Sequence, residues 1–171
     1  MSKQRPNKDD FVFTYKGNIY PTCIKEGNAA GYVVPFASHF CKGKGLDIGG
    51  FFEWTFPGAT AVNILIEDKW DAYNLPDEKY DYIFSSHTLE HLPDYVTALE
   101  YWRDHLKGEG SVIFLYLPHP DMEYWRPINN RKHLHLFYPD DMKRLLEELG
   151  FSTVIVSERD LYWSFAVVAI L

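Results

Sequence analysis

Short apolar segments recur along the chain from residue 45 onward, and they constrain the fold more than any other feature of the sequence. They are too short for core helices, and Gly, Pro or Asp residues bound them. Because apolar side chains occupy both faces of each segment, the segments are typical of buried parallel strands. The four predicted strands are residues 45–48, 61–64, 82–85 and 111–117.

Two later segments, residues 93–106 and 139–149, have the spacing of amphipathic helices. The second is clearer, because its apolar residues recur at i, i+3, i+4 and i+7 and Gly150 follows as a cap. Two further strands, 151–157 and 163–171, close the chain, and the connection between them is too short for a crossover helix. The pattern therefore predicts an α/β sheet whose last two strands are antiparallel.

The N-terminal residues differ from this regular pattern and are predicted to cap the core. Residues 11–21 alternate apolar and polar side chains around a Lys-Gly-Asn turn, which indicates a hairpin. Residues 31–40 fit either a short helix or a packed segment. Because the sequence contains no repeat or linker, we expect one domain over residues 1–171, with a cap segment (1–44) and a core (45–171).

Charge and hydropathy disfavour several classes of partner. Residues 1–44 carry seven Lys/Arg and three Asp/Glu, so the other residues hold a net charge of −11 within the total of −7. Because a phosphate backbone repels a body this acidic, duplex nucleic acid is disfavoured. No apolar run approaches the roughly 18 residues that span a bilayer, and the N-terminus lacks a hydrophobic signal core. We therefore expect a cytoplasmic chain with no membrane partner, and the oligomeric state stays open.

The residues just after each strand are those expected at a ligand site, because ligands of open α/β sheets bind at the carboxyl ends of the strands. The first predicted strand runs into Asp47-Ile48-Gly49-Gly50, where a glycine pair allows a sharp turn and a close approach to a ligand. The dinucleotide fingerprint GxGxxG and the phosphate loop GxxxxGKS/T are both absent. Dehydrogenase and NTPase functions are therefore disfavoured.

Five motifs follow one another in order, with spacings that fit successive strands and helices of an α/β sheet: GLDIGG, DAYNLP, YDYIFSSHTLEHL, LKGEGSVIFLYLPH and HLHLFYPDDMKRLLEELGF. Together they resemble the class I S-adenosylmethionine-dependent methyltransferases, and specifically their small type 11 branch. The resemblance covers about two thirds of the chain, residues 45–157. It implies a Rossmann-like, mostly parallel sheet, a cofactor-binding core and S-adenosyl-L-methionine as the cofactor.

The resemblance also implies roles for single residues around the cofactor. Asp47-Ile48-Gly49-Gly50 would hold its amino-acid end with backbone and carboxylate groups. Asp71 would accept a hydrogen bond from the adenine amino group, while the backbone at Ala72 contacts the ring.

Further roles are implied after the third predicted strand, residues 82–85. Ser85, Ser86 and His87 would face the sulfonium of the cofactor. His91 belongs to the LEHL motif, where we expect a structural hydrogen bond.

The sequence departs from the family pattern at both early crossovers. About ten residues separate Gly50 from the second strand, so that crossover is predicted to be a loop with at most one turn of helix. The helix expected between the second strand and Asp71 is missing from the pattern. Asn63 stands where the family carries an acid for the ribose hydroxyls, and Glu67 or Asp68 are the alternatives for that role.

Four histidines are candidate bases, because imidazole titrates near neutrality. We predict His87 and His119 as catalytic residues and keep His133 and His135 as further candidates. Residues 118–127 form an irregular segment that fits either a lid over the site or a cover for the sheet. The predicted substrate-binding residues are His119, Tyr124, Trp125, Arg126 and His133.

His133 and His135 lie two residues apart, so their side chains would point the same way on an extended segment. A metal site on this pair lacks an evident third ligand, and we predict none. The leading hypothesis is a methyltransferase acting on a small-molecule or sugar-like acceptor. The alternative is a non-catalytic cofactor-binding or scaffolding protein that keeps the same fold, because Asn63 and the short crossovers favour weak cofactor binding.

Overall fold

The computed structural model describes residues 11–26, 30–66 and 69–171. An N-terminal hairpin and a short helix precede an α/β core. The hairpin consists of β1 (Val12–Tyr15) and β2 (Asn18–Pro21), and the helices are α1 (Ala30–Ala37), α2 (Tyr95–Asp104) and α3 (Pro139–Glu148). The core strands are β3 (Gly45–Ile48), β4 (Thr60–Val62), β5 (Tyr82–Ser86), β6 (Val112–Pro118), β7 (Thr153–Val156) and β8 (Ser164–Ile170).

The six core strands form one sheet in the order β4-β3-β5-β6-β8-β7. The four strands from β3 to β6 are parallel, and β8 runs antiparallel to both β6 and β7. The predicted Rossmann-like sheet with an antiparallel C-terminal pair is therefore confirmed. After β3 the chain adds β4 on one side of it and then crosses over to add β5 on the other side. The strand order therefore changes direction between β3 and β5.

The second predicted strand ends earlier than expected. The segment 61–64 was predicted as strand, but β4 ends at Val62. The side-chain oxygen of Asn63 accepts a hydrogen bond from the backbone N–H of Leu65 at 2.9 Å, and this local bond turns the chain. An apolar run alone does not show where such a side chain stops a strand.

Helix ends follow the local capping groups. Helix α2 begins at Tyr95, two residues after the predicted start, because the Asp94 carboxylate accepts from the backbone N–H of Thr97 at 3.0 Å. Helix α3 begins at Pro139, as predicted. In the N-terminal part, the helical alternative for residues 31–40 is the correct one.

Neither early crossover contains an α-helix among the described residues, and only the first one, residues 49–59, is short. A single 3₁₀ turn, Phe52–Trp54, is the only helical element between β3 and β4. No α-helix occurs between β4 and β5 within the part of the chain that the structure describes. Glu67 and Asp68, the alternative ribose ligands, lie outside the described residues.

Two apolar clusters cover the two faces of the sheet. The larger cluster packs α2 and α3 against one face through buried side chains that include Leu99, Trp102 and Leu146. The smaller cluster packs α1 against the other face through Val33 and Ala37. No helix within the described ranges has both the length and the apolar character needed to cross a bilayer.

A third cluster joins the N-terminal hairpin to the segment that follows β6. Tyr20 and Ile24 pack against Met122 and Trp125, and all four side chains are buried. The hairpin therefore lies over the carboxyl end of β6, beside the strand ends at which ligands of such sheets bind.

Candidate active site

Two neighbouring cavities open at the carboxyl ends of the parallel strands. The larger one, here called the switch-point groove, measures about 740 Å³ and lies where the strand order changes direction between β3 and β5. Its walls are Ile48, Gly49, Val62, Asn63, Ile64, Leu65, Asp71, Ala72, Tyr73, Thr88, His91, Leu92 and Lys132. Five of the predicted cofactor residues thus lie together: Ile48, Gly49, Asn63, Asp71 and Ala72.

The smaller cavity, here called the histidine cavity, measures about 390 Å³. Its walls are Ile24, Lys25, His87, Glu90, His91, Tyr124, Trp125, Asn129, Asn130, Lys132 and His133. His91 and Lys132 line both spaces. A ligand in the groove and a ligand in the cavity would therefore meet at these two side chains.

Gly49 forms the floor of the groove in a conformation that favours glycine. Its φ angle is +97°, and its N–H donates to the carbonyl of Val62 at 2.9 Å. A Cβ atom added at this position would lie 1.9 Å from Oγ1 of Thr88. Because that distance is far below a van der Waals contact, a larger residue at this turn would have to displace Thr88.

Asp47 and Gly50 lie behind the groove and do not line it. The Asp47 side chain is 2% exposed, and its Oδ2 accepts from the backbone N–H of Phe56 at 2.7 Å. Burial raises the pKa of the Asp47 carboxyl to about 7, against the opposing effect of the Phe56 hydrogen bond. Gly50 leaves room for this carboxylate, since an added Cβ would lie 2.7 Å from Cγ of Asp47. Both residues shape the loop after β3, and their direct contact with a cofactor stays a prediction.

Asn63 ties the ends of β3 and β4 together. Its Nδ2 donates to the carbonyl oxygen of Gly49 at 3.2 Å, while its Oδ1 accepts from Leu65. Both ends of the amide are thus engaged with backbone at the rim of the groove. A carboxylate cannot replace the donating end of this side chain.

Replacement of Asn63 by aspartate is therefore expected to destabilise the protein by about 1–3 kcal/mol, because a carboxylate oxygen would face the Gly49 carbonyl without a donor between them. The control is Ser152→Ala, which removes a side-chain donor to the Ile170 carbonyl at 3.2 Å and lies outside the groove walls. Urea denaturation measures both losses, and calorimetry with S-adenosylhomocysteine separates them, since only Asn63→Asp should weaken binding. An Asn63→Asp variant as stable as the parent chain would contradict this account.

The Asp71 carboxylate lies on the wall of the groove and is held by its own loop. Its Oδ1 accepts from the backbone N–H of Tyr73 at 2.7 Å. Its Oδ2 has no hydrogen-bond partner among the described residues, so one oxygen remains available to a ligand. The carbonyl of the adjacent Ala72 accepts from Nε1 of buried Trp102 at 2.7 Å, which fixes this loop to α2.

Of the three residues expected to face the sulfonium, only His87 reaches a cavity. Ser85 is buried within the sheet and donates to the carbonyl of Ile48 at 2.9 Å. The buried Ser86 hydroxyl has no partner within the described chain. The His87 ring lines the histidine cavity, its Nε2 lies 3.0 Å from Oγ of Ser164, and its backbone φ is +47°.

A buried carboxylate lies among the histidines of the cavity. Glu90 is 0% exposed, and its Oε1 lies 3.6 Å from Nδ1 of His87 and 3.9 Å from Nε2 of both His91 and His133. Nδ1 of His91 lies 2.7 Å from the carbonyl of Lys132, which is the structural hydrogen bond expected at this position.

Burial dominates the ionisation of this cluster. It raises the pKa of Glu90 to about 8. It lowers the pKa of His87 to about 3, with further lowering by His133 and His91, and lowers that of His133 to about 4. The two imidazoles are therefore neutral at pH 7.

Three of the predicted substrate residues, Tyr124, Trp125 and His133, line the histidine cavity, and the other two do not. The ring of His119 packs edge-on against Phe165, with 6.0 Å between ring centroids. Arg126 folds back on its own segment, where its Nε donates to the carbonyl of Pro120 at 2.9 Å. His119 and Arg126 thus lie outside both cavities.

Sequence reasoning missed Glu90 as a site residue, although it lies three positions after His87 and directly before His91. An acid placed this close to two histidines in an apolar motif could have indicated a shared buried site. Asn129, Asn130 and Lys132 were missed as well, because they belong to an irregular segment with no periodic pattern.

Comparison with known proteins identifies the family of the chain. The family model described as a methyltransferase domain matches residues 27–156, most of the chain. Among curated proteins, none matches the sequence significantly.

Solved methyltransferase structures share the fold at low sequence identity. A SAM-dependent methyltransferase from Archaeoglobus fulgidus is 21% identical with a TM-score of 0.61, over 83% of this chain and 92% of that one. One from Thermotoga maritima is 15% identical with a TM-score of 0.64, over 85% and 91%. DhpI in complex with SAH is 15% identical with a TM-score of 0.61, over 86% and 87%.

In an open α/β sheet, a groove at the switch point is the usual position of a bound ligand. With the family match, the chain belongs to the class I S-adenosylmethionine-dependent methyltransferases, and S-adenosylmethionine is its cofactor. The narrower type 11 assignment stays a prediction.

Proposed function

We propose that the protein transfers a methyl group from S-adenosylmethionine in the switch-point groove to a small-molecule or sugar-like acceptor in the histidine cavity. The observation that carries this proposal is the junction of the two spaces, which share His91 and Lys132 as walls. Methyl transfer needs donor and acceptor side by side and aligned, because the reaction is an in-line displacement.

The residues of the groove suit the cofactor. Its volume of about 740 Å³ is in the range of sites that enclose ligands of this size. Ile48, Val62 and Leu92 offer apolar surface to a base, and the available Asp71 oxygen can accept from an exocyclic amino group. When bound, S-adenosylmethionine supplies a methyl group on a sulfonium, and its leaving group needs no proton.

The histidine cavity suits a small, hydroxyl-rich acceptor. A volume of about 390 Å³, closed on one side by Ile24 and Lys25 of the cap, favours a small molecule over a polymer. Asn130 adds an amide donor to its wall, since its oxygen already accepts from the backbone N–H of Lys132 at 3.1 Å. The acidic charge of the core supports the same choice, because it disfavours duplex nucleic acid.

His87 is the predicted catalytic residue best supported by its position. It lines the acceptor side, whereas His119 packs against Phe165. Because its pKa is held at about 3, His87 acts as a neutral imidazole that orients an acceptor group and excludes water, and as a weak base.

Calorimetry with S-adenosylhomocysteine tests the cofactor part of the proposal. Asp71→Ala is expected to weaken binding by about 1.5–3 kcal/mol, roughly 10- to 150-fold, because a hydrogen bond to a charged group is lost. The control is Asp77→Ala, since this exposed carboxylate lies outside the groove. Unchanged affinity in a folded Asp71→Ala variant would remove Asp71 from the adenine site.

A turnover assay separates a catalyst from a scaffold. The full chain is incubated with S-adenosylmethionine and a set of hydroxylated metabolites and sugars, and S-adenosylhomocysteine is measured. Acceptor-dependent turnover that His87→Ala lowers supports the proposal. Tight cofactor binding with no turnover on any acceptor supports the non-catalytic alternative.

A further inference from the structure

The Glu90 carboxylate is buried without the hydrogen bonds that such a group needs. Neither of its oxygens has a hydrogen-bond partner within the described chain, and the side chain is fully buried. A buried carboxyl group without a partner is unfavourable in either ionisation state, so folds keep one where a donor or a cation compensates it. The methyl-transfer chemistry described above gives Glu90 no such partner.

The groups that face this carboxylate are ring nitrogens. Oε1 of Glu90 lies 3.6 Å from Nδ1 of His87 and 3.9 Å from Nε2 of both His91 and His133. One ligand atom from each of Glu90, His91 and His133 lies within 4.8 Å of the others. The ligand atoms of a tetrahedral zinc site lie roughly 3.4 Å apart, given metal–ligand distances of about 2.0–2.2 Å. Small side-chain rotations would therefore close the three groups around one ion.

His91 is held in the tautomer that metal binding requires. Its Nδ1 lies 2.7 Å from the Lys132 carbonyl, to which it donates its proton, so Nε2 carries the lone pair and faces Glu90. A backbone carbonyl on the far nitrogen is the usual support of a histidine that ligates a metal. This observation points to a cation independently of the unpaired carboxylate.

We propose that Glu90, His91 and His133 bind a divalent transition-metal ion at the junction of the histidine cavity and the switch-point groove. Two imidazoles and one carboxylate are a donor set that Zn²⁺ takes in catalytic sites, with the fourth position open. Mg²⁺ and Ca²⁺ are disfavoured because they prefer oxygen ligands.

The position of the ion narrows the acceptor class, and this part rests on the proposed function. All three ligands line the histidine cavity, and His91 also lines the groove. An acceptor hydroxyl bound at the open position would lose its proton to solvent more readily, because a divalent cation stabilises the oxyanion. The oxygen lone pair would then form the bond to the methyl carbon, and the electron pair of the broken C–S bond would stay on sulfur. The acceptor is thus an alcohol or a sugar-like diol.

Zinc titration of the full chain, stripped of metal by a chelator and assayed without cofactor, tests the site directly. Calorimetry should show one Zn²⁺ bound per chain, and saturating Zn²⁺ should raise the melting temperature by mass action. Glu90→Gln keeps the side-chain shape and His91→Ala changes a half-buried ring, so at least one variant should fold. Each is expected to weaken zinc binding by more than about 100-fold, beyond the roughly 10- to 100-fold effect of losing a supporting residue.

The matched control is His39→Ala, which removes an exposed histidine far from the cluster in sequence and should leave zinc binding unchanged. No saturable zinc binding by the parent chain overturns the proposal, as does equal binding by folded Glu90→Gln and His91→Ala. Zinc binding without affinity for S-adenosylhomocysteine would leave the ion site standing and reject the proposed function.

The Co²⁺-loaded chain tests the open position, since azide added to an open site changes the visible spectrum of the ion. A spectrum that azide leaves unchanged marks a closed structural site and overturns the assignment of the acceptor class.

Discussion

Gly49→Ala is expected to abolish S-adenosylhomocysteine binding and to lower the free energy of unfolding by about 2–5 kcal/mol. Two causes add at this position. The φ of +97° is unfavourable for any residue with a Cβ, and that Cβ would lie 1.9 Å from Oγ1 of Thr88. Thr88 is held by its own hydrogen bond to the Ser86 carbonyl at 3.1 Å, and it lines the groove. Relief of the clash therefore moves a wall of the ligand site.

Gly58→Ala is the matched control for backbone strain. Gly58 has a φ of +84°, and an added Cβ there would meet nothing within 4 Å. This variant should lose only about 1–2 kcal/mol and keep its full melting shift with saturating S-adenosylhomocysteine. Melting curves of both variants with and without ligand separate the effect of backbone strain from the effect of displacing Thr88. A folded Gly49→Ala variant that retains the full shift would place the cofactor away from this turn.

The positions of the core strands along the chain, and their parallel type, could be predicted because burial on both faces leaves an apolar run in the sequence. A segment such as β5, buried over most of its length, needs apolar residues at consecutive positions, and few other structures do. The end of β4 could not be predicted in the same way. It depends on the single side-chain bond from Asn63 to Leu65, which an apolar pattern does not reveal.

The groove was easier to predict than the cavity for a related reason. Ligand positions at strand ends follow from topology, and Gly49 and Asp71 were found there. Asp47 was expected to face the same ligand, but adjacent residues of a strand point to opposite faces of the sheet. Ile48 lines the groove, and Asp47 accordingly points behind it toward Phe56.

The histidine cavity depends on contacts that no local pattern encodes. His133 approaches Glu90 across more than forty positions of the chain, through a segment without regular structure. The pair His133 and His135 looked alike in sequence, yet His135 turns away and lies 2.8 Å from the carbonyl of Leu92. Only the folded chain shows that His133 is joined by Glu90 and not by His135.

Asp47→Asn is expected to gain stability relative to the parent chain as the pH rises. The pKa of Asp47 is about 7 in the folded protein, above the ordinary value of 3.8, so the folded state holds this proton more tightly than the unfolded state. The charge then lowers the stability of the parent chain progressively between about pH 4 and pH 7. Asparagine cannot ionise, and its oxygen can still accept from Phe56. Between pH 4 and pH 8 the difference should shift by about 3–4 kcal/mol in favour of the variant.

Urea denaturation of both chains across this pH range measures the effect, with Asp77→Asn as the control for an exposed carboxylate. Parallel stability curves for Asp47→Asn and the parent chain would mean that Asp47 ionises normally. If the variant gains stability yet binds S-adenosylmethionine more weakly, the buried charge serves the ligand. Because the loop after β3 carries Gly49 and closes on Asp47 through Phe56, a negative charge behind it favours the positively charged cofactor over its neutral product. The ratio of the two affinities should therefore fall in Asp47→Asn even where the loop itself is unchanged.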